Sequence, residues 1–126
     1  MQISHVALWT DDLEKLKDFY VKYFGGKAGQ KYVNPQKGFE SYFISFDCGA
    51  ALEIMSCKDV KSVSSKTCLG YCHAAFKTDS REEVIKLTKK LSEDGYKVVS
   101  GPRVTGDGYF ESVICDPAGN LVEITA

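Results

Sequence analysis

The chain has 126 residues, of which 44% are hydrophobic and 26% charged, a composition typical of one compact domain, here spanning residues 1–126. Sixteen basic residues nearly balance seventeen acidic ones without forming blocks, which excludes the broad electrostatic field that attracts nucleic acid or an anionic membrane. No apolar stretch approaches the roughly 20 residues of a membrane span. We therefore expect a small-molecule partner, no nucleic acid and no membrane.

The first half of the chain predicts a strand, a helix and three further strands. Residues 3–9 are short and apolar enough for a strand, and Asp11 with Glu14 three positions later is a capping-box signal for a helix. Apolar residues then recur at helical spacing until Gly25-Gly26 ends the helix. The strand-like segments that follow are residues 31–33, 41–47 and 51–55.

The second half repeats this order. A shift of 68 positions places residues 5–14 over residues 73–82, with five of the ten positions identical. A second helix follows Ser80 and Glu83, ends at Gly95 and leads into strand-like segments at 97–99, 110–115 and 121–125. Each half reads β-α-β-β-β, so we predict an α+β fold of two such modules, about residues 1–60 and 69–126.

Each module begins with a histidine in its first strand and ends with a glutamate in its last. His5 and Glu53 are 48 residues apart, and His73 and Glu123 are 50 apart. Because side chains alternate along a strand, each glutamate faces away from the branched apolar residues beside it. A solvated glutamate or a core histidine is the ordinary explanation of each residue alone. Both types at equivalent places in both modules indicate a shared site.

The chemistry of these four side chains predicts a metal centre. Two imidazoles and two carboxylates suit a divalent nickel, cobalt, zinc, iron or manganese ion and leave positions for water or substrate. We therefore predict one metal ion on His5, Glu53, His73 and Glu123.

The five cysteines offer a competing site. Cys57, Cys68 and Cys72 with His73 would form a zinc cluster, but their spacing matches no common zinc finger, and strand alternation turns Cys72 away from His73. Their odd number and irregular spacing, with no signal-peptide pattern at the N-terminus, instead predict reduced thiols in a cytoplasmic protein.

Four motifs stand out along the chain: Ile3-Ser-His-Val-Ala-Leu, Asp18-Phe-Tyr followed by Phe24-Gly, Gly70-Tyr-Cys-His-Ala-Ala-Phe, and Asp116-Pro-Ala-Gly-Asn-Leu-Val-Glu-Ile. Through them, over essentially its whole length, the chain resembles the vicinal oxygen chelate (VOC) superfamily. This superfamily includes glyoxalase I, methylmalonyl-CoA epimerase, fosfomycin-resistance proteins, extradiol dioxygenases and bleomycin-resistance proteins. The resemblance implies paired βαβββ modules whose curled mixed sheets surround a metal, with ligands at the four positions named above.

Within the superfamily, a glutamate at position 53 makes the chain more similar to glyoxalase I (lactoylglutathione lyase) than to the other members. Fosfomycin-resistance proteins and extradiol dioxygenases use two histidines and one glutamate, and bleomycin-binding proteins generally lack the metal set. The compact length is similar to the bacterial-type glyoxalases that favour nickel or cobalt, rather than to the longer zinc-type enzymes. The resemblance implies that a carboxylate moves a proton from C1 to C2 of a metal-chelated hemithioacetal, with Glu123 as the base and Glu53 as its partner on the opposite face.

Two further positions concern the substrate. Glyoxalases typically have an arginine that holds glutathione four residues after the first ligand, where this chain has Trp9. Trp9 is expected to line an apolar or aromatic pocket or to pack at a dimer interface. Arg103 and the Gly106-Asp-Gly108 segment are expected to contact an anionic substrate, to form a lid, or to lie in a solvated loop. The resemblance also implies a homodimer.

Two other functions fit the same sequence. One is another VOC metalloenzyme, a thiol transferase or an epimerase, and retained activity after Glu123→Gln would favour thiol transfer. The other is a non-enzymatic small-molecule-binding protein of the bleomycin-resistance type, which uses the cleft between subunits as its pocket. Ligand binding at full affinity by metal-free protein would favour that alternative.

Overall fold

The computed structural model describes residues 2–61, 70–106 and 108–126. Within these residues it contains nine strands and two helices, which form two compact units, Met1–Ser64 and Ser65–Ala126, each with its own sheet. The predicted α+β class is confirmed. Neither helix in this described part of the chain is long and apolar enough to span a membrane.

The first unit has five strands rather than the predicted four. Its sheet has the order β1-β5-β4-β2, β3 also pairs with β4, and β1 runs parallel to β5. The segment predicted at residues 31–33 is β3, and the additional strand is the two-residue β2, which pairs with β4 directly after the helix. The N–H of Gly29 extends this contact by donating to the carbonyl of Phe43 at 2.8 Å. The elements are β1 (His5–Trp9), α1 (Leu13–Phe24), β2 (Lys27–Ala28), β3 (Tyr32–Asn34), β4 (Phe39–Ser45) and β5 (Ala51–Cys57).

The N-cap of helix α1 is one residue later than predicted. Asp12, not Asp11, is the N-cap, and its carboxylate accepts a hydrogen bond from the N–H of Lys15 at 3.0 Å. The hydroxyl of Thr10 accepts from the N–H of Asp12 at 3.1 Å and holds that residue at the helix start. Gly25 ends the helix as predicted, in the left-handed conformation at φ 66° that favours glycine.

One face of α1 packs against β4 and β5. The apolar stripe predicted from its spacing is buried there, and Leu16 and Tyr20 are fully covered together with Ile44 and Ile54 of the sheet. Gly26 allows this close approach, since a Cβ at that position would lie 2.5 Å from Cγ2 of Ile44. The packing leaves the opposite side of the sheet available for the side chains of the site.

An ionic cluster at Glu14 ties α1 to the sheet. One carboxylate oxygen of Glu14 accepts from the hydroxyl of Tyr42 at 3.0 Å and lies 3.2 Å from the ammonium of Lys31. The other oxygen accepts from the ammonium of Lys17 at 2.6 Å. These partners, Lys17 first, lower the pKa of Glu14 from its ordinary value of 4.5 to about 2.

This lowered pKa predicts a pH-dependent contribution to stability. A carboxyl group with a depressed folded-state pKa stabilises the fold above its unfolded pKa and loses that contribution as the pH falls, here from 4.5 to about 2. We expect Glu14→Gln to lower the free energy of unfolding at pH 7 by about 0.5–1 kcal/mol, because the half-exposed side chain is screened by water. Urea unfolding of both proteins at pH 7 and near pH 2 measures this difference, which should be smaller at the lower pH.

The matched control is Glu93→Gln, which removes a looser pair in the second unit, where Glu93 lies 3.8 Å from Lys89. Its effect at pH 7 should be smaller than that of Glu14→Gln. A Glu14→Gln difference of equal size at both pH values would contradict the electrostatic interpretation.

The second unit has the predicted β-α-β-β-β order. Its sheet has the order β6-β9-β8-β7, β6 runs parallel to β9, and α2 packs on β7, β8 and β9. Ser80 caps α2 as predicted, because its hydroxyl accepts from the N–H of Glu83 at 3.3 Å. The elements are β6 (His73–Lys77), α2 (Arg81–Glu93), β7 (Val98–Val104), β8 (Phe110–Cys115) and β9 (Leu121–Thr125).

Candidate metal centre

The first unit brings His5 and Glu53 together on one face of its sheet. The parallel pairing of β1 with β5 aligns His5 with Ala51 and Ala7 with Glu53, so the two functional side chains lie diagonally across neighbouring strands. Nε2 of His5 lies 3.7 Å from Oε2 of Glu53. The neighbours of Glu53 in the strand are buried on the opposite face, as the strand alternation predicted.

The second unit repeats this arrangement with His73 and Glu123. β6 pairs with β9 in the same parallel register, which aligns Ala75 with Glu123, and Nε2 of His73 lies 3.4 Å from Oε2 of Glu123. The exposures also match, since the histidine side chains are 42% and 40% exposed and the glutamate side chains 19% and 17%. Both pairs are accessible from solvent, with the carboxylates more sheltered than the imidazoles.

Local contacts orient the first histidine. The hydroxyl of Ser4 lies 3.1 Å from Nδ1 of His5, while Nε2 faces Glu53. The ring of Phe43, which is aligned with Glu53 on the neighbouring strand, stands edge-on to the imidazole at 5.3 Å between centroids. A metal-binding histidine is commonly oriented in this way, through a hydrogen bond at the nitrogen that does not bind the ion.

A tight turn sets the position of Glu123. Asp116, buried just after β8, accepts hydrogen bonds from the N–H groups of Ala118 and Asn120, both at 2.9 Å, and from the side-chain amide of Asn120. This Asx-type turn reverses the chain directly into β9. The Asp116-Pro-Ala-Gly-Asn motif therefore has a structural role, which is to hold the strand that carries the glutamate.

The donor atoms of each pair fit a divalent transition metal. Two donors bound at about 2.1 Å with a tetrahedral angle lie about 3.4 Å from each other, close to the 3.7 and 3.4 Å between the Nε2 and Oε2 atoms. One pair supplies only two donors. Across residues 2–61, 70–106 and 108–126, no group of three or more His, Cys, Asp or Glu side chains is arranged to hold a metal. Each pair by itself is half of the predicted ligand set.

Trp9 lies on the same sheet face as the first pair. It is aligned with Met55 on β5, two residues beyond Glu53, and its ring is half exposed. The ring stands edge-on to Phe39 at 6.2 Å between centroids. Trp9 is therefore part of an aromatic surface next to His5 and Glu53.

Arg103 lies in strand β7, so the expectation of a solvated loop was wrong for this residue. Its Nε donates to the hydroxyl of Ser100 at 2.9 Å, and its Nη2 lies 3.6 Å from Oε1 of Glu111 on β8. The Gly101-Pro102 step just before Arg103 lies where the β7–β8 register shifts. The Gly106-Asp-Gly108 segment includes Asp107, which lies outside the described residues.

The competing cysteine cluster gains no support. Cys57 is in the first unit and Cys72 precedes β6 in the second, while Cys68 lies outside the described residues. Cys48, Cys57, Cys72 and Cys115 are free thiols.

Sequence reasoning did not identify Phe43 and Glu111 as parts of the two faces. Phe43 contacts His5, and Glu111 holds Arg103. Strand alternation alone was a usable signal, since both residues lie on strands predicted from the pattern. Only the register, however, shows which side chain on the next strand each one meets.

The sequence model of the glyoxalase/bleomycin resistance protein/dioxygenase superfamily matches residues 2–124. The Bacillus subtilis (strain 168) protein YqjT, described as uncharacterized, is 28% identical over 132 residues, covering 98% of each chain. A glyoxalase family protein from Enterococcus faecalis has a similar structure, with a TM-score of 0.82, 28% identity, and 99% and 97% of the two chains covered. A possible glyoxalase from Bacillus cereus has a TM-score of 0.76 and 25% identity, over 100% of this chain and 99% of that one.

Proposed function

Because the chain belongs to the glyoxalase/bleomycin resistance protein/dioxygenase superfamily, we propose that it is a metal-dependent lyase of the glyoxalase I type. Its substrate would be the hemithioacetal formed by a 2-oxoaldehyde and a thiol. The observation that carries this proposal is the repeated His–Glu pair, with donor atoms 3.7 Å apart in one unit and 3.4 Å apart in the other. Similarity to glyoxalase family proteins supports the same activity.

In this proposal His5, Glu53, His73 and Glu123 hold one divalent nickel, cobalt or zinc ion. When bound, such an ion is a Lewis acid that stabilises negative charge on the substrate oxygens. Ser4 orients the His5 ring through Nδ1, so that Nε2 remains available as a donor. The nitrogen and oxygen donors exclude the soft, thiolate-rich coordination that copper(I) or an iron–sulfur cluster requires.

The two glutamates also move the proton. Glu123 removes the proton from C1 of the adduct, the proton returns at C2, and Glu53 is the corresponding group on the opposite face. The product is the thioester of a 2-hydroxy acid, with no atom gained or lost. Both carboxylates are less than one-fifth exposed, which limits competition from water for the proton.

Arg103 and Trp9 are the proposed contacts to the rest of the substrate. The guanidinium of Arg103 is held by Glu111 and Ser100 while its side chain remains half exposed, which suits an anionic group. Trp9 replaces the arginine that binds glutathione in glyoxalases, and the thiol is therefore not assigned to glutathione. In the same proposal the protein is a cytoplasmic homodimer.

One observation favours a second candidate function. The half-exposed ring of Trp9 beside Phe39 is typical of surfaces that bind apolar small molecules, as in a binding protein of the bleomycin-resistance type. A thiol transferase or epimerase would use the same metal ligands with a different substrate. The binding protein differs from both enzymes because its affinity would not depend on metal.

The direct test is elemental analysis of untagged protein, followed by an assay with methylglyoxal and glutathione. We expect about one nickel, cobalt or zinc ion per predicted site, and formation of lactoylglutathione in the assay would identify glutathione as the thiol. Metal without turnover would support the site and direct the assay to other thiols and carbonyls. Protein that takes up none of the three ions would contradict the central proposal.

A further inference from the structure

A row of aromatic and uncharged side chains crosses the first sheet beside His5 and Glu53. Trp9 is aligned with Met55, Met55 with Ser41, and Ser41 with Tyr32, across strands β1, β5, β4 and β3. Met55 is two residues beyond Glu53, so this row lies about 7 Å along the strand from the carboxylate. The row is therefore within the reach of one small molecule that also contacts Glu53.

Three rings form a continuous surface here, which we call the aromatic platform: Trp9, Phe39 and Tyr32. Trp9 and Phe39 are edge-on at 6.2 Å with 89° between ring planes, and Phe39 and Tyr32 are tilted by 59° at 6.1 Å. Such edge-to-face contacts leave ring faces unpaired. Trp9 is 50% exposed and Tyr32 is 55% exposed, so both side chains are accessible to a ligand.

The charges on the strands of this face favour an uncharged ligand over an anionic one. Strands β1, β4 and β5, all within the described residues, contain no lysine or arginine. Two lysines flank the platform: Lys31, next to Tyr32, pairs with Glu40 at 2.9 Å, and the Lys58 side chain lies against Gly38, next to Phe39. Lys27, on β2, is aligned with Ser45 of β4, and its ammonium lies 2.9 Å from the carboxylate of Asp47. Glu53 is a negative charge on the same face. A neutral planar group fits this surface better than a carboxylate or a phosphate.

The equivalent row in the second unit has the opposite character. There the register aligns Lys77 with Thr125, Thr125 with Glu111, and Glu111 with Arg103. Thr125 of this row is two residues beyond Glu123, just as Met55 is two residues beyond Glu53. The two repeats have therefore diverged at corresponding positions, with rings in the first unit and charges in the second, and the aromatic character is specific to the face that carries Trp9.

We propose that the aromatic platform binds an aromatic ring of the substrate, while the reacting group of the same molecule lies at His5 and Glu53. The part of this inference that concerns the reacting group depends on the proposed function, whereas the ring site itself does not require a metal. The substrate class is the adduct of an aryl-substituted 2-oxoaldehyde or of an aryl-bearing thiol. An adduct whose charged group would have to bind at the platform is not part of this class.

Two chelating probes separate the ring site from the metal site. Benzohydroxamate and acetohydroxamate have the same chelating group and differ in carrying a phenyl ring or a methyl group. Trp9 is the single tryptophan of the chain, so its emission reports binding at the platform directly. Each probe is titrated against EDTA-treated protein and against nickel-loaded protein. The effect of the ring tests the platform, and the effect of nickel tests the proposed function.

We expect benzohydroxamate to bind at least about tenfold more tightly than acetohydroxamate to both the EDTA-treated and the nickel-loaded protein. Stacking of the phenyl ring on aromatic side chains provides an affinity gain of this size. Tyr32→Leu and Phe39→Leu should each lower that ratio to less than about threefold, leaving the affinity of nickel-loaded protein for acetohydroxamate unchanged. Tyr71→Leu is the matched control, since Tyr71 is 96% exposed and is not part of the platform. Its ratio should equal that of the wild type.

A ratio near one in the wild type, or one that persists in both platform variants, would overturn the proposal. The absence of saturable quenching of Trp9 by benzohydroxamate in metal-free protein would do the same. If the platform variants instead weaken self-association in sedimentation while the ratio stays unchanged, the rings belong to a contact between two copies of the chain. Failure of nickel to strengthen either probe would count against the proposed function alone.

Discussion

Replacement of Glu123 by glutamine is expected to reduce turnover of the hemithioacetal by about 10²- to 10⁴-fold, the usual contribution of a general base. Glutamine keeps the size of the side chain and an oxygen donor, but it cannot accept the C1 proton. Metal content should stay close to that of the wild type, because an amide oxygen still faces His73. Steady-state kinetics of metal-loaded protein, with metal content measured on the same sample, tests this expectation.

The fall should appear in kcat and in kcat/KM alike, because the interaction that is lost exists only in the transition state. Glu40→Gln is the matched control, since Glu40 is also a strand carboxylate but pairs with Lys31 at 2.9 Å, away from the histidines. That variant should keep wild-type kinetics. Activity of Glu123→Gln within about threefold of the wild type would exclude Glu123 as the base and would favour thiol transfer, which needs no protein base.

Removal of either histidine should abolish stoichiometric metal binding. We expect His5→Ala and His73→Ala each to weaken metal affinity by more than about 100-fold, a larger loss than removal of a residue that only orients a ligand causes. Each variant retains three donors, and one His–Glu pair is reduced to a single carboxylate. Competition with a colorimetric chelator, together with elemental analysis after gel filtration, measures the change.

Stability provides the first control for these variants. Both histidine side chains are about 40% exposed, so alanine should change the free energy of unfolding by no more than about 0.5 kcal/mol. Ser4→Ala is the second control, because it removes only the contact to Nδ1 of His5 and should weaken metal binding less than His5→Ala does. Wild-type metal content in folded His5→Ala would show that the histidine is not a ligand.

Several elements could be predicted from local pattern alone. The bounds of β8 and β9 match the predicted segments, because apolar residues and turn residues mark both strands clearly. The alternation of Glu53 with the buried Leu52 and Ile54 was predicted as well, since it follows from the geometry of any extended strand. The α+β class followed from the same signals.

Other elements depended on contacts that no local pattern specifies. Asp11 and Asp12 are equally good caps by residue type, and the hydrogen bond from Asp12 to Thr10 decides between them. Gly101 and Pro102 precede Arg103, which was expected to contact an anionic substrate, form a lid or lie in a solvated loop, and all three residues lie in a strand. Their strand, β7, is at the edge of its sheet, where the missing N–H of proline and the register shifts are tolerated.

The sequence by itself determined the repeat, the α+β class and the four candidate ligands, because residue type, spacing and alternation are local properties of the chain. Only the tertiary structure decided that β1 lies beside β5, and β6 beside β9, in registers that bring each histidine to the glutamate 48 or 50 residues later. The aromatic row at Trp9 and the charged row at Arg103 were decided in the same way. Strand pairing is a non-local choice made by hydrogen bonds and packing between distant segments, and it determines which side chains become neighbours.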